Sequence, residues 1–207
     1  MSTHFFDANA ANWDIPMRVE RAQAIATALL REAAPAHDAR VADYGTGTGL
    51  LAVALAPHVG EVIALDNSAR MLAVLEEKCQ ASAIPNIHGR RFDIEQDEID
   101  PALCDIFVSS MVLHHLRSPA QYARAAWRAL CPGGLSIVID LDSEAGEFHQ
   151  DHADVHHHGF ERAALDQVFI ASGFEPARFS TVFTLRKPGR SGPEREFSLF
   201  MMIARKP

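Results

Sequence analysis

The apolar positions change period along the chain, and the changes read as alternating helices and strands. From 17 to 34 they recur at helical spacing (Val19, Ala22, Ile25, Ala26, Leu29, Leu30) and stop before Pro35, which predicts an amphipathic helix. Short apolar runs at 40–44, 61–65, 87–92, 104–109 and 134–140 predict strands. Helices are predicted between them at 49–57, 68–82 and 119–130. Ser68 and Ser118-Pro119 stand where the second and third of these want a capping side chain and a first-turn proline. A further helix spans about 160–172 and stops at Gly173. Two closing runs, 175–185 and 196–205, flank Arg186-Lys-Pro-Gly-Arg-Ser-Gly-Pro193, whose turn formers and charges predict an exposed hairpin loop. Alternation of this kind means parallel strands joined by right-handed helical crossovers, an α/β fold. The last run, Glu196-Phe-Ser-Leu-Phe-Met-Met-Ile203, is apolar enough to lie inside a sheet rather than at its edge.

Composition narrows the partners. A chain of 207 residues, 48% hydrophobic and 22% charged, suits one well-buried domain. Its formal net charge of −8 argues against capture of nucleic acid, which depends on Lys and Arg displacing counterions from phosphates, and favours a small-molecule partner. Cys79, Cys104 and Cys131 are odd in number and set in apolar segments, so they read as buried thiols of a reducing compartment. No basic-then-apolar leader and no bilayer-length apolar run is present. The expectation is a soluble, cytoplasmic protein without membrane partners, monomeric or homodimeric.

The most informative run is Val41-Ala-Asp-Tyr-Gly-Thr-Gly-Thr-Gly49, a strand ending in an acid and three alternate glycines. Such a turn into a helix lets bare backbone approach a ligand and presents unpaired N–H groups. A dinucleotide loop would want its third glycine at position 50, where Leu50 stands. Asp43 places a carboxylate at the bend, favouring a ligand with an ammonium group over a second phosphate. Glu61-Val-Ile-Ala-Leu-Asp66 is a second strand ending in an acid, suited to accept both hydrogen bonds of a ribose diol.

With these residues in hand, the chain resembles the class I S-adenosylmethionine-dependent methyltransferases, nearest to the small-molecule branch typified by quinone-biosynthesis C-methyltransferases. Asp43 to Gly49 resembles the family's first motif, Asp66 its ribose-binding acid, and Phe92-Asp93-Ile94 its adenine-contacting segment. Cys104-Asp-Ile-Phe-Val-Ser-Ser-Met-Val-Leu-His-His-Leu116 resembles its fourth-strand motif, and Leu130-Cys-Pro-Gly-Gly-Leu135 completes the set. Phe5 to Asp14 resembles the N-terminal cap over the cofactor. The resemblance implies a Rossmann-like, doubly wound, seven-stranded and mostly parallel sheet with a C-terminal antiparallel hairpin and helices on both faces. It divides a single domain into a helical cap (1–36), a cofactor-binding core (37–142) and a substrate-side loop, helix and hairpin (143–207). It implies S-adenosylmethionine as cofactor and S-adenosylhomocysteine as product. Asp43, Tyr44, Gly45, Thr46 and Gly47 would surround the methionine portion, Asp66 the ribose, and Asn67 the adenosine as a second contact. Asp93 would meet the adenine amine, with Ile94 and Met71 on the ring. Ser110 lies where the fourth strand opens toward the amino-acid end. Trp13 could stack near the sulfonium, and Arg18 could fork onto the methionine carboxylate.

Methyl transfer needs chiefly an in-line approach, because the sulfonium is already activated; an oxygen or nitrogen acceptor must also shed a proton, for which histidine is suited. His114 and His115 follow the fourth strand. His149, His152, His156, His157 and His158, with Asp151 and Asp154, follow the fifth strand, where a substrate lid belongs. His115 and His157 are the candidate catalytic residues, and the second group lacks a regular metal-ligand pattern, so no metal is expected. If His156 to His158 line the acceptor site, protonation near pH 6.5 should suppress turnover. Ser109-Ser-Met-Val112 replaces the Asn-Pro-Pro-Tyr signature of amino methylation of bases or amides. A phenylalanine-rich final third (Phe160, Phe169, Phe174, Phe179, Phe183, Phe197, Phe200) can supply core and an apolar acceptor pocket. Two other readings stand beside an enzyme: a non-catalytic S-adenosylmethionine-binding or regulatory protein, and a nicotinamide oxidoreductase, which Leu50 disfavours.

Overall fold

The computed structural model describes residues 4–150 and 154–207. The helices are α1 (His4–Asn9), α2 (Pro16–Ala33), α3 (Leu50–Leu55), α4 (Ala69–Ala81), α5 (Pro119–Ala129) and α6 (Arg162–Ala171). The strands are β1 (Arg40–Tyr44), β2 (Glu61–Asp66), β3 (Ile87–Arg91), β4 (Cys104–Ser110), β5 (Leu130–Leu141), β6 (Arg178–Pro188) and β7 (Glu194–Arg205). They form one seven-stranded sheet in the order β3-β2-β1-β4-β5-β7-β6. The first five run parallel, and β7 pairs antiparallel with both β5 and β6.

The local signals explain the elements. Ser68 accepts a hydrogen bond from the Met71 N–H at 3.1 Å and Ser118 one from Gln121 at 3.2 Å, so both helix starts use a cap. Pro16 opens α2, which closes with Ala34 in a left-handed conformation. Alternate residues of the central strands point to opposite faces, and both faces are apolar. Val41, Val62, Val108 and Ile137 meet Ile25, Leu29, Leu51 and Leu75 of α2, α3 and α4. Ala42, Leu65, Phe107 and Val138 meet Tyr122, Ala126 and Phe169 of α5 and α6. Two-sided burial is why these strands read as unbroken apolar runs rather than alternations.

Insertion of β7 between β5 and β6 follows from the same chemistry: Leu199 to Ala204 are almost wholly buried, which an edge position would forbid. Two boundaries move. β5 begins at Leu130 rather than 134, because the fully buried Leu130 already pairs with Cys104 before a register shift. The hairpin strands extend through Arg186, Lys187 and Pro188, leaving a turn of 189–193. Cross-strand pairing of Arg186 with Glu196 at 2.8 Å and the Gly189 N–H to the Pro193 carbonyl at 2.8 Å hold residues that composition alone assigns to a loop. Among the described residues no helix is long and apolar enough to cross a membrane.

The strand order reverses between β1 and β4, so crossovers leave in opposite directions and open a crevice at their carboxyl ends.

Candidate active site

Two adjoining cavities occupy that crevice. The first, about 790 Å³ of space open to solvent, lies on the loops after β1, β2 and β4 and is roofed by Trp13 and Arg18. Asp43, Gly45, Thr46, Gly47, Asp66, Met71, Ser110 and His115 all line it, so most of the residues singled out in the sequence converge. The second cavity lies beside it, between the N-terminal segment, His114-His115, and Phe148 to Val155. Phe6, Trp13, Arg18, Arg21, Met111 and His115 line both.

The glycine loop is built differently from the simple expectation of unpaired N–H groups. The Gly45 and Thr46 N–H groups donate to the Leu65 carbonyl at 2.7 and 3.1 Å, Gly47 donates to Asp66 Oδ2 at 2.8 Å, and Gly49 donates to the Thr46 carbonyl at 2.9 Å. Four donors that would cradle a phosphate are thus used inside the protein. Nor do all three glycines serve the ligand. All have positive φ, but a Cβ at Gly45 would collide with Val112 and one at Gly49 with Leu75, so packing of the chain itself demands glycine there. Of the three, only Gly47 has room, where a Cβ would make ordinary contacts with Trp13 Nε1 at 3.8 Å and Met71 Sδ at 4.0 Å.

Asp43 is buried, and burial pushes its carboxyl up to about 7; the nearby Asp66 adds to this, while a hydrogen bond from Thr46 Oγ1 at 2.8 Å opposes it. A buried carboxylate with its charge so poorly compensated is a site for a cationic ligand group. Asp66 is also raised by burial, against hydrogen bonds from the Ser68 and Gly47 N–H groups at 2.8 Å each. Beyond it, the Phe92 N–H donates to the Asp66 carbonyl at 3.0 Å, which seats Asp93 at the far end of the crevice. Asn67 Nδ2 lies 3.5 Å from Asp93 Oδ2, and Gln96 donates to the same oxygen at 2.9 Å.

The N-terminal segment is fastened as a cap. Asp14 pairs with Lys78 at 2.7 Å, Lys78 donates to the Thr48 carbonyl at 2.7 Å, and Ser68 Oγ donates to Asp7 at 2.6 Å. Arg18 donates to the Trp13 carbonyl at 2.9 Å and lies 3.8 Å over its ring. Arg21, which sequence reasoning missed, lines both cavities; burial first and Arg18 second push its guanidinium down to about 10. Its signal was available, one helical turn after Arg18 on the same face of α2.

Several expectations are placed elsewhere. The Tyr44 ring is buried on the opposite side of β1 against Phe92, Phe107 and Tyr122, so only its backbone accompanies the loop. Asn67, Asp93 and Ile94 are buried just past the first cavity rather than on its lining. His157 packs on Phe160 and donates its N–H to the His114 carbonyl at 3.1 Å, and it lines neither cavity. His156 and His158 are exposed, and Asp151 and His152 lie outside the described residues. The loop contributes His149 instead, whose ring sits 4.8 Å from that of His114 and 5.6 Å from that of His115.

The other missed feature is a buried dyad. His114 Nδ1 lies 2.7 Å from Asp140 Oδ1, and the His114 N–H donates to Oδ2 at 3.2 Å. Burial alone would raise Asp140, but the His114 partnership holds it below the usual carboxylate range. His114 Nε2 has no hydrogen-bond partner among the described residues, and the residue lines the second cavity. His115 and His149 are pushed down to about 4 and about 3 first by burial and then by His114, so they stay neutral at physiological pH. No cluster of three or more metal-ligating groups occurs among the described residues.

Residues 42–138 match the family described as Methyltransferase domain. The chain is 30% identical over 116 residues to the ubiquinone biosynthesis O-methyltransferase of Paracidovorax citrulli, covering 56% of this chain and 49% of that protein. It spans about half the length of the curated relatives it matches. The structure of YcgJ from Bacillus subtilis shares the fold with a TM-score of 0.70 at 16% identity, covering 87% of this chain and 97% of that one. A chain from the complex containing the Trm112 methyltransferase activator of Haloferax volcanii gives a TM-score of 0.79 at 18% identity, covering 98% and 97%.

Proposed function

We propose, from the match of residues 42–138 to a methyltransferase domain, that this chain is a class I S-adenosylmethionine-dependent methyltransferase and methylates a small-molecule acceptor held in the second cavity. The observation that carries this reading is the shared wall: a crevice bearing the buried acids Asp43 and Asp66 and a mostly apolar cavity meet across Trp13, Arg21, Met111 and His115.

The residues present fit the cofactor. Asp43, buried and short of compensating charge, suits its ammonium group, and the used-up loop N–H groups withhold the donors that a dinucleotide's pyrophosphate would need. Asp66 would hold the ribose hydroxyls, with Asn67 beside it. Asp93 would accept from the adenine amine, and Met71 and Ile94 would pack on the ring. The backbone of Asp43 to Gly47 and Ser110 would border the methionine portion, Arg18 would pair with its carboxylate, and Trp13 would lie near the sulfonium. When bound, the cofactor supplies an activated methyl group, whose carbon bonds to the acceptor's lone pair as the carbon–sulfur bond breaks to leave S-adenosylhomocysteine.

The protein's part is alignment, exclusion of water by the α1 cap, and removal of the acceptor's proton. We assign the proton to His114 Nε2 rather than to His157, because Asp140 fixes the opposite nitrogen as a donor and stabilises the imidazolium that forms. His115 and His149, neutral on either side, border the acceptor. Calorimetry should show one site for S-adenosylhomocysteine and none for reduced nicotinamide dinucleotide. Labelled methyl from S-adenosylmethionine should then appear on a member of a metabolite panel. Tight binding of the nicotinamide cofactor would overturn the reading, and cofactor binding with no transfer to any small molecule would return it to a regulatory protein.

A further inference from the structure

The second cavity has an electrostatic character opposite to that of the chain. The protein carries a formal net charge of −8, yet among the described residues three cations, Arg18, Arg21 and Lys187, line this cavity against one acid, Asp154. His115 and His149, held neutral, add no charge to them. Asp140 is buried behind His114 and engaged with it.

The cations differ in what they already do. Arg18 donates to the Trp13 carbonyl and lies over its ring, and its remaining donors are those assigned above to the cofactor's carboxylate. Lys187 donates to the Phe148 carbonyl and lies 3.8 Å over the Phe148 ring, which leaves further N–H donors on its ammonium. Arg21 makes no hydrogen bond or ion pair with any described residue, although burial depresses its pKa and a guanidinium removed from water is costly to leave unpaired. Five donors in a planar fork are therefore held, without an acceptor among the described residues, at the junction of the two cavities. Around them the cavity wall is hydrocarbon and aromatic. Phe148 and Leu185 are buried, and Phe5 and Met17 stand exposed at 50% and 38% at its rim.

Resting on the methyltransferase reading above, we propose that the acceptor is an apolar acid, a molecule with an aromatic or hydrocarbon body seated against Phe5, Met17, Phe148 and Leu185 and a single anionic group paired with Arg21 and Lys187. A neutral or cationic acceptor would leave the Arg21 fork unmatched. The competing claimant is the cofactor's own carboxylate, because Arg21 also borders the first cavity; Lys187 borders only the second.

The test uses a matched pair of fluorescent probes on the full chain at pH 7.5, with and without saturating S-adenosylhomocysteine. The anionic 8-anilinonaphthalene-1-sulfonate should bind at least tenfold more tightly than uncharged N-phenyl-1-naphthylamine, and decanoate should displace it where 1-decanol does not. Arg21→Gln and Lys187→Gln should each weaken the anionic probe about 5- to 30-fold while leaving the neutral probe and S-adenosylhomocysteine within twofold. Arg21→Lys should restore part of the loss, which a folding defect would not permit. Equal binding of the two probes overturns the proposal. So does an Arg21→Gln protein that loses S-adenosylhomocysteine affinity while keeping the anionic probe, since Arg21 then belongs to the cofactor. Failure of S-adenosylhomocysteine to bind the unaltered protein would instead strike the methyltransferase reading, and the probe comparison in its absence would still decide the charge of the cavity.

Discussion

Replacing Asp43 by Asn should make the unliganded protein more stable and a poorer binder of cofactor. Burial raises the carboxyl from 3.8 to about 7, a displacement of some three pKa units, each equivalent to ~1.4 kcal/mol, so the ionised form costs the fold up to about 4 kcal/mol. The sign follows from linkage: the folded state holds a proton that the unfolded chain has released, so stability falls as pH rises from 3.8 through 7 and the whole cost is present above 7. Asn carries no charge, and its carbonyl can still accept the hydrogen bond from Thr46. Allowing for relaxation, Asp43→Asn should gain about 2–3 kcal/mol at pH 8, which for a domain of this size is a rise in Tm of roughly 5–10 °C. At pH 5, only part of the way from 3.8 to 7, the gain should shrink to about 1 kcal/mol. The same change should weaken S-adenosylhomocysteine about 30-fold or more, because a charged hydrogen bond to its ammonium, worth roughly 2 kcal/mol, is lost. Thermal melts at pH 5 and 8 with titration calorimetry at pH 8 test both halves. A variant less stable than wild type at pH 8, or one binding S-adenosylhomocysteine within threefold of wild type, would refute the reasoning.

Three further outcomes are expected. His114→Asn and Asp140→Asn should lower kcat about 100-fold or more while leaving S-adenosylhomocysteine affinity within twofold, read by methyl transfer and calorimetry; unchanged kcat would remove the dyad from the chemistry. His115, held at about 4 against an ordinary 6.5, contributes stability that is fully present above 6.5 and lost as pH falls toward 4, up to about 3 kcal/mol, so urea melts of His115→Gln should show a flatter decline between pH 6.5 and 4 than wild type. For the same reason turnover should not fall at 6.5 through His115, whereas cofactor affinity should weaken below pH 7 as Asp43 protonates. Gly45→Ala should cost about 2–4 kcal/mol in denaturant melts, combining its positive φ with the Val112 collision; Gly47→Ala, with a positive φ but no collision, should cost less stability and mainly reduce S-adenosylhomocysteine affinity.

Periodicity, caps and the ordered acids were enough to place the sheet, the helices and the crevice at the strand ends. Those features are local, or follow from a strand order that right-handed crossovers nearly impose: the Ser68 and Ser118 caps, the apolar runs of β1, β2 and β4, and an acid at the end of a strand. The two-sided burial of β7 was legible for the same reason, because a run without polar alternation must be covered on both faces.

What only the tertiary structure decided are relations between residues far apart in sequence. His114 and Asp140 are separated by 26 positions, and nothing local marks Asp140 as the partner that singles out one of two adjacent histidines. His149 rather than His157 reaches the second cavity because the path of the loop, not its composition, sets which imidazole turns inward. The glycine run behaves likewise. Its turn is written in the sequence, but Gly45 and Gly49 answer to Val112 and Leu75, and Gly47 alone stays open to the crevice. Local patterns fix backbone conformation and which faces seek burial; the identity of the atom that meets another across the core depends on packing, which no single stretch of sequence contains.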